Sequence, residues 1–400
     1  MLNILFVVSK MAIGGPQKSL VALLDRLDYS RVSVSVLALH PGGPLERFLN
    51  PKVRLLTTPS LITAYTLPSD RIVWALRALL SAGRWRASIS VAWGLAWRIA
   101  MRRNINQFRQ RFWRAHRGDV PVLDGSFDAA FGILGLSTYC VADCVSARQT
   151  YHWVRSDTRI LGREQAIDAE YYSQLTGALS VSEECARIFE AMYPDMVGKV
   201  SVFHNYLPVG LYSRIAPPPI LADGYQTPQI ISVGRLDKLK GMDLILDTAS
   251  ELTRRGRAYR WYIAGDGPER QRVETEITRR GLGNNVTLLG FQLNTMGLLR
   301  QCDCFVHASR TEGKSNAVDE ALFVGCPVIV TNYPTVGDQV ENGVSGLICE
   351  MNGTSIADAI EQSLDDPSLR ERLASHRKGH EDAPSDPSGF LIDLVNRASR

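Results

Sequence analysis

A short apolar run, a glycine-bearing turn and a stretch of helical spacing open this chain, and the same series starts again past its midpoint. Leu2–Val8 is nearly all apolar and rich in β-branched and aromatic residues, the composition of a strand covered on both faces in a parallel sheet. Gly14-Gly15 follows, then leucines at 20, 23, 24 and 27 predict a helix over 17–27, and 32–39 reads as the next strand. Ala216-Pro-Pro-Pro and Thr227-Pro interrupt the pattern, because Pro continues neither a helix nor an inner strand. Beyond them come strand Gln229–Val233, turn 234–241, helix Met242–Arg254 and strand Arg260–Ala264. The series goes on through turn 265–268, helix 269–280, strands 286–289 and Cys304–His307, helix 315–324 and strand 327–331. Strict alternation of this kind builds α/β domains around parallel sheets. At 400 residues the chain exceeds one ordinary core, and two domains are expected. The expected division is 1–212, a linker 213–228, a second domain 229–384 and a terminal helix in 385–400 that returns to the first domain.

The formal net charge of +4 conceals a block. Between Arg71 and Arg117 there are eleven Arg and no Lys, Asp or Glu, together with five of the seven Trp (74, 85, 93, 97 and 113). Removing those eleven charges leaves −7 for the remainder, an acidic chain carrying one basic, aromatic helical segment. Arg interleaved with Trp suits a surface that meets anionic lipid, with solvated helices that part-bury their Trp as the plainer alternative. Nucleic acid is not expected as a partner, because no recognised nucleic-acid module accompanies the charge. The longest charge-free apolar runs, 87–97 and 129–142, are too short to span a bilayer. The first residues lack a basic region ahead of their apolar run, so no secretory leader is expected. Seven Cys in neither a paired zinc spacing nor a disulfide framework fit reduced thiols. The expected location is cytoplasmic, peripheral on the inner face of the membrane.

In open α/β sheets, ligands sit beyond the carboxyl ends of strands, so the turns carry the chemistry. Arg235 and Lys240 stand five apart between Gly234 and Gly241, and two cations on a strand-end loop suit a diphosphate, although an isolated pair of this kind is also common on plain surfaces. Glu312 follows strand Cys304–His307, and Glu320 comes eight residues later in an apolar helix. At 1.5 Å per residue that separation is at most roughly 12 Å, about the span from sugar to ribose in a sugar nucleotide. Between the two, the backbone N–H groups of Ser315, Asn316 and Ala317 open the helix, where a phosphate is favoured. A Glu at 320 among Ala317, Val318, Ala321 and Leu322 needs a partner if it is buried. Gly14 and Gly15 in the first domain, and Gly265, Asp266 and Gly267 in the second, are turns that let backbone approach a phosphate or a base. No phosphate-cradling G-x-x-x-x-G-K-[ST], H-E-x-x-H or G-x-S-x-G occurs, and no Asp-x-Asp offers a seat for a chelated metal.

Taken in order, Val181-Ser-Glu-Glu, His204-Asn205, Val233-Gly-Arg-Leu with Lys240-Gly, Gly265-Asp-Gly-Pro and Gly290-Phe291 resemble the retaining glycosyltransferases of family 4, of the GT-B fold. Asp303 with Ser309, Glu312-Gly with Glu320-Ala, Gly325-Cys-Pro-Val and Gly343-Val-Ser-Gly complete the match, which runs from about residue 180 to 346. The resemblance implies two Rossmann-like α/β domains facing across a cleft. It also implies transfer of a sugar, with retention, from a nucleoside-diphosphate sugar (UDP- or GDP-linked) to a lipid-linked or saccharide hydroxyl in cell-surface glycan synthesis. Arg235 and Lys240 would hold the diphosphate, Glu312 the sugar and Glu320 the ribose. Gly14 and Gly15 would approach the phosphates, while Gly265, Asp266, Gly267, Phe291, Ser315, Asn316 and Ala317 would line the donor site. No permanently bound cofactor and no metal are expected. The family often carries a His after an acceptor-domain strand; here the aligned position is Arg155, and His152 stands three residues earlier. A catalytically silent sugar-nucleotide-binding protein and an epimerase-like enzyme are the alternatives on the same fold.

Overall fold

The computed structural model describes residues 1–68, 70–101, 104–221, 227–376 and 383–397, with the side chains of 95–101 outside that description. The chain divides into two compact units, Met1–His204 with Ala383–Arg400, and Asn205–Asp382.

The first unit is a seven-stranded sheet in the order β3-β2-β1-β4-β5-β6-β7. Its strands are β1 (Leu2–Val8), β2 (Val32–Ala38), β3 (Arg54–Leu56), β4 (Phe127–Ile133), β5 (Ala147–Val154), β6 (Gly177–Ser180) and β7 (Val200–Val202), every pair parallel. From Ile4 through Val8, β1 is buried without a break, as a strand covered by helices on both faces must be. Helix α1 (Gly15–Leu24) starts earlier than the leucine spacing predicts, because Pro16 suits the first turn, where an N–H would lack a partner.

The basic block forms α3 (Ile72–Ser81), α4 (Trp85–Met101) and α5 (Ile105–His116), preceded by the short α2 (Ser60–Tyr65). It is not one surface. On α5, Arg111 pairs with Glu164 at 2.5 Å, Arg114 and the following Arg117 pair with Glu170, and Trp113 is fully buried with its Nε1 donating to Asp143. On α3 and α4, by contrast, Trp74, Trp85 and Trp93 are exposed, Trp93 by 75%, alongside Val73, Leu80 and Ile89. The expectation for Trp97, Arg98, Arg102 and Arg103 falls outside the described side chains. A helix that alternation does not reveal, α6 (Leu136–Cys144), occupies the second half of the apolar run 129–142. Helices α7 (Gln165–Tyr172) and α8 (Glu183–Met192) complete this part of the unit.

The second unit has a six-stranded parallel sheet in the order β10-β9-β8-β11-β12-β13. These are β8 (Gln229–Val233), β9 (Arg260–Ala264), β10 (Val286–Gly290), β11 (Cys304–His307), β12 (Val328–Thr331) and β13 (Leu347–Cys349). The unit opens with α9 (Val209–Tyr212), so residues 205–212 belong here, whereas the position of the prolines predicts that they belong to the first domain. Tyr212 explains the shift, since its hydroxyl is buried against Thr295 and Glu320 of this unit. Helices α10 (Met242–Arg254), α11 (Arg270–Arg279), α12 (Thr295–Leu299), α13 (Asn316–Val324), α14 (Gly353–Asp365) and α15 (Pro367–Ser375) follow. The last helix, α16 (Pro387–Arg397), packs in the first unit, where Gln149 donates to the carbonyl of Val395 at 2.6 Å.

Candidate active site

Strand order decides where the second sheet can hold a ligand. From β8 the chain moves outward through β9 and β10, then returns to place β11 on the other side of β8. The loops after β8 and β11 therefore diverge, and a crevice opens at this switch point. Lys240 lies on the first of these loops and Glu312 on the second.

The two loops are tied together before any side chain meets. Arg310 N–H donates to Leu239 O at 2.8 Å, Ser309 Oγ donates to the same carbonyl, and Arg310 holds Asp243 with two bonds of 2.9 and 2.6 Å. Asp237 caps the turn by accepting from the N–H groups of Leu239 and Lys240. Gly241 takes φ +62°, and a Cβ there would come within 2.0 Å of Ala308 O, so only glycine lets the loops close.

This framework delivers Lys240 Nζ to Glu312 Oε1. The same oxygen lies 2.7 Å from His307 Nε2, at the end of β11. His307 is 5% exposed and packed between Phe305 and Tyr333. Burial would raise the Glu312 pKa, but the Lys240 charge and the His307 hydrogen bond overcome it and hold the carboxyl well below its usual range. The result is a carboxylate kept ionised, with a cation on one side and an imidazole on the other. His307 escapes sequence reasoning because it looks like one more residue of a buried strand; its place at the carboxyl end of β11, five residues before Glu312, is the available signal.

Arg235 does not join this cluster: its side chain is 70% exposed, with Asp237 at 3.9 Å as its ion-pair partner. Gly265 and Gly267 serve backbone contact within the unit. A Cβ at Gly265 would lie 1.8 Å from Gly234 O, and one at Gly267 would lie 2.3 Å from Leu236 O. The loops after β8 and β9 thus stack directly, joined by Leu236 N–H to Asp266 O at 3.1 Å. Asp266 faces Arg270 at 3.6 Å, and Phe291, just past β10, is 47% exposed.

At the start of α13 one of the three amides expected to be open, that of Ser315, is taken within the unit. Ser315 N–H donates to Gln339 Oε1 at 2.7 Å, and Gln339 Nε2 returns bonds to Ser315 O and Asp319. The Asn316 side chain accepts from Asn205 at 3.0 Å, and Ala317 is half-buried, ahead of the buried stripe that begins at Val318. Glu320, 2% exposed, has the partners its burial demands: Tyr212 OH donates to Oε1 at 2.6 Å and Thr295 Oγ1 to Oε2 at 2.5 Å. Burial and the Glu320 charge hold the Tyr212 phenol well above its ordinary pKa, so it stays a donor. Among the described residues no group of three or more His, Cys, Asp or Glu is placed to hold a metal ion.

In the first unit Gly14 caps α1 and Gly15 begins it. His152 is a core residue: it is 2% exposed, stacks on Tyr172 and Phe189, and its Nδ1 lies 2.7 Å from Thr138 Oγ1. Arg155, 8% exposed, lies over the Trp153 ring, and burial pulls its pKa down to about 9.

Residues 221–379 match the family described as glycosyl transferases group 1. An alpha-D-kanosaminyltransferase of Streptomyces kanamyceticus is 36% identical over 152 residues, covering 37% of this chain and 39% of its own length. The lipopolysaccharide core biosynthesis glycosyltransferase LpsD of Rhizobium meliloti is 30% identical over 191 residues, covering 46% of this chain and 54% of its own. The alignments thus span about two fifths to one half of these relatives. Among solved structures, Anabaena Alr3699/HepE in complex with UDP-glucose superposes over 100% of both chains, with a TM-score of 0.67 at 15% identity. The fold is accordingly the GT-B fold of two Rossmann-like α/β domains, and the stretch holding Lys240, His307, Glu312 and Glu320 is similar to the glycosyl transferases group 1.

Proposed function

We propose that this chain is a retaining glycosyltransferase of family 4. In this reading it moves a sugar from a UDP- or GDP-sugar to a hydroxyl of a lipid-linked or saccharide acceptor in glycan synthesis. The meeting of Lys240 and Glu312 at the switch point of the second sheet carries the reading. Negative charge grows on the departing diphosphate in the transition state, and a fixed cation beside it lowers the barrier most. Lys240 supplies that cation and exposed Arg235 can swing in as a second, with no metal assigned a part. Glu312, kept ionised, accepts hydrogen bonds from sugar hydroxyls, and Glu320 accepts from the ribose beside Tyr212 and Thr295. A phosphate oxygen of the donor takes the acceptor proton, as the family resemblance implies.

The exposed Trp74, Trp85 and Trp93, with Arg77 and Arg86 on the same helices, support peripheral attachment to an anionic membrane surface. No described helix is long and apolar enough to cross a membrane. Incubation with a panel of UDP- and GDP-sugars tests the transferase reading, with NMR of the product's anomeric centre. Turnover with retained configuration is expected; neither hydrolysis nor transfer with any member of the panel would overturn it.

A further inference from the structure

Strand β12 pairs with β11 in the second sheet, so the loop after β12, 332–340, borders the segment 308–315 that carries Glu312. The loop is braced internally: Tyr333 N–H donates to Thr331 O at 2.8 Å, Val336 N–H to Tyr333 O at 3.0 Å and Val340 N–H to Val336 O at 2.9 Å. Thr331, Tyr333, Thr335 and Gln339 are each at most 2% exposed. Buried polar groups need partners, and three of these side chains find theirs on the neighbouring segment. Thr331 Oγ1 donates to Ser309 O at 2.6 Å, and Thr335 Oγ1 donates to the carbonyl of Glu312 itself at 3.1 Å. Gln339 meets Ser315 twice, accepting from its N–H at 2.7 Å and donating to its O at 2.9 Å. Tyr333 adds its ring, set edge-on to His307 with 6.0 Å between centroids. We propose that Thr335 and Gln339 are positioning residues for the donor sugar, holding the backbone at Glu312 and Ser315 so that the carboxylate meets the sugar hydroxyls.

The side chain of Glu312 shows why its backbone matters. Lys240 and His307 both use Oε1, so Oε2 is the oxygen that these bonds leave to a ligand. Where Oε2 points then depends on where the Glu312 backbone stands, and Thr335 fixes that backbone directly. Gln339 acts three residues further on. Its paired bonds to Ser315 copy the pairing of one peptide group with another, and a third bond, from Nε2 to Asp319 Oδ1 at 2.8 Å, reaches one turn into α13. Ser315 caps α13 without a side-chain bond of its own, so Gln339 ties down the start of the helix and sets its place relative to Glu312. A shift of about 1 Å in a group that meets the reacting substrate costs about 100-fold in rate. Contacts one layer behind the carboxylate therefore bear on turnover more than on nucleotide affinity.

The identity of the ligand rests on the transferase reading; the hold on Glu312 does not. Thr335→Val removes the hydroxyl at nearly constant shape, and Thr335→Ser keeps it. Rates of the full chain with the fastest member of the UDP- and GDP-sugar panel, and calorimetric titration with UDP and GDP, test the role. Thr335→Val is expected to lower kcat about 10- to 100-fold with KM and nucleotide affinity within about twofold of wild type. Thr335→Ser should restore most of the loss. Gln339→Glu keeps an acceptor for Ser315 N–H but sets a carboxylate against Ser315 O and Asp319. Burial beside a like charge favours its protonated form, which donates again, so its kcat relative to wild type should rise as pH falls from about 8 to about 6. Wild-type kcat in Thr335→Val would overturn the proposal, as would nucleotide affinity that falls as far as kcat. A Gln339→Glu deficit that pH leaves unchanged would remove Gln339 from it.

A stability cycle without substrate separates this proposal from the transferase reading. A displaced carboxylate pairs less well with Lys240 and His307, so the stability gap that Glu312→Gln opens at pH 7 should shrink by about half in a Thr335→Val background. An equal gap in both backgrounds would overturn the positioning role whatever the turnover. A wild type that turns over no sugar nucleotide, with this coupling present, counts against the transferase reading alone.

Discussion

His307 and Lys240 converge on one oxygen of Glu312: His307 Nε2 lies 2.7 Å from Oε1, and Lys240 Nζ meets the same atom. The carboxylate is 11% exposed and its two partners come from the loop after β8 and from the end of β11, so its direction is set on both sides before any substrate arrives. Preorganisation of this kind spares the reorganisation that a mobile carboxylate would need in the transition state.

Removal of the cation should be felt mainly in chemistry. Lys240→Ala is expected to lower turnover of the preferred sugar nucleotide by about 100- to 1,000-fold, the range for losing one transition-state donor. Steady-state kinetics with a circular-dichroism check of the fold would show this, and transfer near the wild-type rate would remove Lys240 from the mechanism.

Substitution of the imidazole separates positioning from direct contact. His307→Leu should reduce kcat by about tenfold, the equivalent of one lost hydrogen bond to a charged group, while UDP affinity stays close to wild type. His307→Gln keeps an N–H that can reach Glu312 and should restore part of the loss. A variant that loses UDP binding as strongly as turnover would instead assign His307 to the donor pocket.

Acid should weaken the pairing at Glu312 in a defined window. Its folded pKa is depressed, so the stability it contributes is complete above its unfolded value near ~4.3. That stability is lost as pH falls through the folded value. The stability gap between wild type and Glu312→Gln, from urea titrations, should therefore be constant from pH 7 to 5 and shrink below about pH 4.

His152 gives the opposite experiment, on a group kept neutral. Burial, with the charge of Arg163 adding, pushes its pKa down to about 3. The unfolded chain then binds a proton that the folded one does not, between about 3 and the ordinary value near ~6.5. Stability rises with pH through that interval. His152→Phe, placed between Tyr172 and Phe189, should flatten the profile; from pH 6.5 to 4 the wild type is expected to lose about 3 kcal/mol more than the variant, at 1.36 kcal/mol per pH unit. Parallel urea titrations at pH 4, 5 and 7 would measure the difference.

Glu320 tests burial. Tyr212→Phe removes the donor to Oε1 and leaves a 2% exposed carboxylate with Thr295 still bonded. A cost of about 1–3 kcal/mol in urea denaturation is expected, together with weaker UDP binding. An unchanged midpoint would mean that water replaces the phenol without penalty.

What was legible in the chain follows from periodicity and from chemistry that depends on one segment. The alternation placed β8, α10, β9 and β11 at their observed bounds, because strands buried on both faces and amphipathic helices write their patterns locally. The buried Glu320 announced its need for a partner from its apolar neighbours alone. Short elements such as β3 and β13, and α6 inside an apolar run, left no such pattern.

Which partner Glu320 takes was not local: Tyr212 lies 108 residues away, in a stretch that composition assigned to the other domain. Lys240 and Arg235 look alike as two cations on one loop, yet one is delivered to Glu312 and the other points to solvent. The difference arises because the strand order puts β11 beside β8, and Leu239 is tied to Ser309 and Arg310. The basic block divides for the same reason, since α5 finds acids from other segments while Trp74 on α3 and Trp85 and Trp93 on α4 stay exposed. Two parallel α/β halves, and the kinds of residue at their strand ends, follow from local pattern; which of those ends meet follows from the assembled sheets. Pairing between distant loops is a property of sheet order, and sheet order is not written in any one segment.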